Sequence, residues 1–162
     1  MEIMEGLIEF IKRNLRLLIG ATVVILVLAI LVTAIIRTGD NSTKVQIADQ
    51  TFSVQVARTE VEKQIGLSET EVLGENDGML FVFDKPDFYS FWMKNMKFPI
   101  DIIYIKGDKI TTIIKNASPS SAPESLVIYQ PKEESDKVFE INAGLSDKLN
   151  LKEGMTINIE NL

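Results

Sequence analysis

Two carboxylates and a short aromatic–cationic cluster are the groups through which this chain could do chemistry. Asp101 enters the run Ile100-Asp-Ile-Ile-Tyr-Ile105, and Glu140 sits within Val138-Phe-Glu-Ile-Asn142. A carboxylate among such neighbours is partly buried, and an unpaired buried charge is costly. Lys94 or Lys97 would relieve Asp101, so a structural ion pair is the plain expectation. Its functional alternative is an acceptor for ligand hydroxyls or a general base. Glu140 could face the same cavity, and two carboxyl groups at glycosidase spacing would then be meaningful, although a sequence does not give their separation. Trp92, Lys94 and Asn95 form the second cluster. A Trp beside polar side chains can be a platform for a sugar ring or an aliphatic ligand, with Lys94 and Asn95 as donors. Taken by itself, Trp92 is expected to fill the core, with Lys94 at the rim and its stem over apolar surface.

The remaining chemistry is narrowed by what is missing. The 162 residues contain neither His nor Cys. That removes Ser-His-Asp and Cys-His nucleophiles, His- or thiolate-ligated zinc and imidazole acid–base catalysis. Any catalysis would fall to carboxylates, Lys, Tyr, Ser/Thr or backbone groups. A net charge of −6 with no cationic cluster in the main domain argues against a phosphate-tracking nucleic-acid surface. No run of Asp, Asn and Gly has the pattern of a calcium loop, and no glycine-rich phosphate loop surrounds Gly78 or Gly144, which are expected to serve turns. No metal or cofactor is implied.

The elements that must position these groups centre on Phe88 to Ile105, which holds the only Trp, three of the eight Phe and two of the three Tyr. Such density predicts two strands joined across Asn95 to Pro99. Alternation puts Tyr89, Phe91 and Met93 on one face of the first strand, and Phe88, Ser90, Trp92 and Lys94 on the other. The second strand is apolar on both faces and should be central in its sheet.

Around it, Val45 to Val56 reads as a hairpin, and Thr59 with Glu62 has capping-box spacing for a helix ending near Gly66. Gly78 to Phe83 is a buried strand stopped by Pro86. Lys106-Gly-Asp-Lys109 turns into a further strand over Ile110 to Ile114. Asn116 to Ser125 is a Ser/Pro loop, and strands are expected at Leu126–Tyr129, Val138–Asn142 and Gly154–Glu160. Many short strands with little helix predict a mainly β fold: a compact β-barrel or sandwich with one short helix over residues 45–162.

The N-terminal part obeys a different solvent. Residues 1–16 read as an amphipathic lead on the cytoplasmic side. Leu17 to Ile36 carry no charge, and about 20 residues at 1.5 Å rise match a hydrocarbon core of roughly 30 Å. Their 14 Leu, Ile and Val residues contribute on the order of −4 to −8 kcal/mol to insertion. Lys12, Arg13 and Arg16 precede the stretch, against Arg37 alone after it, which sets the N-terminus inside and the β domain outside the cytoplasm. Residues 17–36 are therefore expected to be a single transmembrane helix and 37–44 a linker. A signal peptide cut after Ala34 is the alternative, disfavoured because its core is usually roughly 7–15 residues.

Five ordered motifs carry a family resemblance: Gly66-Leu67, Gly78-Met-Leu-Phe-Val-Phe83, Phe91-Trp-Met-Lys-Asn95, Pro99-Ile-Asp-Ile-Ile-Tyr104 and Phe139-Glu-Ile-Asn-Ala-Gly144. In this order the chain resembles the domain-of-unknown-function 192 family across residues 45–162. The resemblance implies a small β-barrel or sandwich, often exported or anchored by one N-terminal helix, and brings no activity or cofactor. Members commonly follow Gly-Leu with Met and a nearby Arg; here Ser68-Glu-Thr-Glu71 follows, so a contact made by that Arg would be lost or replaced.

The expected function is an extracytoplasmic, membrane-anchored β domain that binds a small polar ligand such as an envelope glycan. Its site would be Trp92, Lys94, Asn95, Asp101 and Glu140. A hydrolase or isomerase using Asp101 and Glu140 is one alternative, and it requires the two carboxyls to converge in a cleft. A docking module for another envelope protein is the other, working through a strand edge or an apolar patch.

Overall fold

A computed structural model describes residues 2–37, 42–120 and 127–162 of the chain, which divides into compact units at 1–41 and 42–162. The first unit is helix α1 (Glu2–Arg37), so the expected lead and the apolar stretch share one helix. Among the described residues no single helix is long and apolar enough to cross a membrane. The segments Ile3–Leu15 and Ile19–Ile30, bent by 65°, are so only when taken together. Half of the expected linker, residues 38–41, lies outside the described residues, as do residues 121–125 of the Ser/Pro loop and residue 126 of the strand expected after it.

The second unit is mainly β. Strands β1 (Lys44–Ile47) and β2 (Gln50–Ala57) form the first hairpin, turning at Ala48 with φ +51°. Helix α2 (Glu60–Ile65) then crosses to β3 (Asp77–Asp87), which pairs parallel to β2. The capping box is formed as expected: the Glu62 amide donates to Thr59 Oγ1 at 3.2 Å, and the Thr59 amide donates to Glu62 Oε2 at 2.8 Å. Hydrogen bonds donated to it by the Thr59 and Arg58 amides hold the Glu62 carboxyl below the usual range. Gly66, at φ +52°, ends the helix. Strand β3 runs through Pro86 instead of stopping before it. The ladder to its neighbour is interrupted between Val82 and Asp87, so the missing proline N–H breaks no pair there.

After β4 (Phe91–Trp92), strands β5 (Ile100–Lys106) and β6 (Lys109–Ala117) form the second hairpin around Gly107, at φ +63°. Next come β7 (Ile128–Tyr129), β8 (Ser135–Asn142), the short helix α3 (Leu145–Lys148) and β9 (Ile157–Glu160). Seven strands make one sheet in the order β6-β5-β8-β3-β2-β1-β9. Its two ends approach each other: the Ile110 amide donates to the Met155 carbonyl at 3.0 Å, and the Ile157 amide to that of Asp108 at 2.8 Å. The result is a curled half-barrel.

The expected first strand over Phe88 to Lys94 is much reduced. Phe91 and Trp92 pair with β7 in a separate two-stranded sheet, and Lys94 adds one isolated bridge to Ser120. The second strand of that stretch, β5, is central as predicted, lying between β6 and β8 and buried from Ile100 to Ile105.

Apolar cores form on both faces of the sheet. One gathers Val45, Phe52, Leu80, Ile103, Phe139 and Ile157 inside the curl, with Phe52 edge-on to Phe139 at 5.4 Å. The other gathers Met79, Phe81, Ile102, Tyr104 and Val138 on the outside, covered by Leu67 and Met93. Gly78 serves a close approach, not a turn: a Cβ there would lie 2.6 Å from the Phe139 ring and 2.8 Å from the Glu140 carbonyl. Gly144, at φ +84°, does serve a turn, at the start of α3.

Candidate functional site

Register separates the two carboxylates. Asp101 lies opposite Ile141 on β8, and Ile102 lies opposite Glu140, so adjacent residues of β5 send the two acids to opposite faces. Asp101 is fully buried. Neither Lys94 nor Lys97 reaches it, which corrects the expected ion pair. Its Oδ1 accepts the Asn116 amide and its Oδ2 the Ser146 amide, each at 2.8 Å. One carboxylate thus ties the end of β6, where Asn116 holds φ +53°, to the first turn of α3. Lys97 pairs instead with Glu71, in the stretch that departs from the family pattern. The hydrolase or isomerase built on convergence of Asp101 and Glu140 is overturned by this geometry.

Glu140 has the opposite surroundings. It lies on the outer face of β8, flanked by Met79 on β3 and Ile102 on β5, and is 5% exposed. Among the described residues no hydrogen bond or ion pair satisfies its carboxyl. Burial pushes it up to about 8, so the group is largely protonated near neutral pH. The phenol of Tyr104, on the same face, is raised by burial first and by Glu140 second, while its hydroxyl donates to the Tyr129 carbonyl at 3.1 Å.

Above Glu140 opens a groove of about 210 Å³, walled by α2 and the Gly66–Ser68 turn on one side and residues 89–96 on the other. Five aromatic residues, Phe81, Phe83, Tyr89, Phe91 and Trp92, stand in its walls. Phe83 and Tyr89 stack at 3.5 Å and 11°, and Phe91 stands edge-on to Phe81 at 4.9 Å and to Tyr104 at 5.9 Å. Lys63 lays its ammonium over the Phe83 ring, 4.6 Å from the centroid, and pairs with Glu60 at 3.1 Å. The Tyr89 hydroxyl donates to the Lys85 carbonyl at 2.8 Å.

Of the five residues expected at the site, the groove collects Trp92, Lys94 and Glu140. Asn95 takes a left-handed turn at φ +61° and does not line it. Asp101 lies on the other face of the sheet. Trp92 corrects the core-filling expectation, since 52% of it is exposed. With β4 only two residues long and paired to β7 alone, no second layer among the described residues covers that ring.

Sequence reasoning missed Lys63, Ser68, Phe83 and Tyr89 as lining residues. The capping box had located α2 but not the face it turns to the groove.

Fold and groove together define a small half-barrel β domain with one aromatic-walled groove, floored by a buried acid, on its outer face. The chain belongs to the DUF192 family (Uncharacterized ACR), whose model matches residues 43–159. It is similar to a solved protein of unknown function from Novosphingobium aromaticivorans DSM 12444, with 31% identity and a TM-score of 0.64 over 72% of this chain and 83% of that one. It is also similar to a proposed transcription regulator from Sinorhizobium meliloti 1021, with 28% identity and a TM-score of 0.65 over 74% of this chain and 93% of that one. No curated protein matches it.

Proposed function

We propose that the β domain is a non-enzymatic binding module for a small polar ligand, such as an envelope glycan, carried outside the cytoplasm on an N-terminal membrane anchor. The observation that carries this reading is the groove itself: aromatic walls, a half-exposed Trp92 at the edge, and an acid at the floor. Aromatic faces suit the apolar faces of sugar rings; Ser90 and Lys94 supply donors for their hydroxyls, and Ser68, whose own hydroxyl donates to the Ile65 carbonyl at 2.6 Å, can accept from them. The anchor is supported by the uncharged run Leu17 to Ile36 and the basic residues before it. Net charge of −6 gives no reason to carry a nucleic-acid role over from the Sinorhizobium protein.

The test is titration of the full chain, in an uncharged polyoxyethylene detergent free of sugar groups, with envelope sugars, following fluorescence of the single Trp92. A saturable change that Lys94→Ala or Tyr89→Ala weakens supports the reading. A flat response across the panel removes it.

A second reading has its own observation. Phe88, Trp92, Val127 and Ile128 are each about half exposed, and Trp92 pairs with Ile128 across the small sheet. As a docking face for another envelope protein, this patch would lose partner capture in Ile128→Asp without any effect on sugar titration.

A further inference from the structure

We infer that the group seated deepest in the groove is a small organic ammonium, bound by the Glu140 carboxylate between aromatic side chains. This rests on the binding-module reading and narrows it from polar ligands in general to amine-bearing ones, such as an amino sugar with a free amine.

Three observations carry it. Glu140 is buried at the groove floor, and among the described residues nothing donates to its carboxyl. A buried acid without a partner costs stability, and a group that supplies both positive charge and N–H donors removes that cost most fully. The walls are the ring faces and edges of Phe81, Phe83, Tyr89 and Phe91, with Met93 and Met96, surroundings that attract a cation and exclude water. The aromatic wall already seats an ammonium, that of Lys63 over Phe83. A neutral sugar would satisfy the walls but leave the acid protonated and only half used.

The proton balance follows. Near neutral pH the empty groove holds Glu140 largely as the acid. Entry of a cation favours the carboxylate, so the O–H bond breaks and the proton goes to solvent. Beside the acid lies the Tyr104 phenol from β5, and the other titratable groups lining the groove are Glu60 and Lys63 from α2 and Tyr89 and Lys94 from residues 89–96. Strand β3 offers only apolar side chains there.

The probes are cyclohexylammonium and cyclohexanol, which share a six-membered ring and differ in charge. In the full chain, in the same detergent, the ammonium should perturb Trp92 at concentrations roughly tenfold lower than the alcohol. The preference should grow from pH 6 to pH 8.5, and binding at pH 7 should release protons in a weakly buffered titration. Glu140→Gln should abolish both the preference and the release while keeping the native circular dichroism spectrum.

Equal binding of the two probes, a preference that survives Glu140→Gln, or binding without proton release overturns the inference. If sugars still respond in those cases, the binding-module reading stands without it. If neither sugars nor either probe respond, both fall.

Discussion

Asp101 and Glu140 lie on adjacent strands, one register step apart, with their carboxyl groups on opposite faces of the same sheet. The first ties β6 to α3 through two backbone amides, while the second floors an aromatic groove. Asp101→Ala should therefore be a stability mutation. It leaves the Asn116 and Ser146 amides without the acceptor to which they donate, at a cost of about 3 kcal/mol. Urea unfolding should show the loss, and the Trp92 ligand response of the folded protein should be unchanged. A lost ligand response with normal stability would contradict the assignment.

Glu140 makes stability depend on pH in a predictable direction. Its folded value of about 8 lies above the ordinary 4.5, so between these values the folded state holds more protons than the unfolded one. Stability therefore falls as pH rises through that window, by up to about 5 kcal/mol, and levels off above pH 8 or so. Glu140→Gln should be more stable than the parent at pH 8.5 and similar to it near pH 4.5. Melting temperatures across this range check the sign.

Gly78→Ala should destabilise by about 2 to 3 kcal/mol, because the added carbon meets the Phe139 ring and the Glu140 backbone carbonyl together. The ring can shift only into the packed inner core, and the carbonyl is held in the sheet. A variant with unchanged unfolding free energy would mean that β3 and β8 separate more easily than this register allows.

Trp92 should emit as a solvent-exposed indole and be readily quenched by acrylamide, since half of its surface is open. Occupation of the groove should shift its emission to the blue and slow quenching. A blue, quencher-resistant spectrum in the empty protein would place the ring in a core and contradict the half-exposed position.

Much of this architecture was legible in the sequence because it is local. Thr59 and Glu62 announce a capped helix from their spacing alone, Gly107 marks its hairpin, and the apolar run Ile102 to Ile105, covering both faces, identifies β5 as central. The family could also be read from ordered motifs. Tertiary structure alone decided which face each acid takes. Alternation within a strand separates neighbouring residues, but the relation of Asp101 to Glu140 depends on how β5 registers against β8, some forty residues away in sequence. The exposure of Trp92 was likewise out of reach. An aromatic residue is buried only if a layer covers it, and the short pairing of β4 with β7 leaves that face open. Composition predicts what a residue prefers, while packing decides whether the fold supplies it.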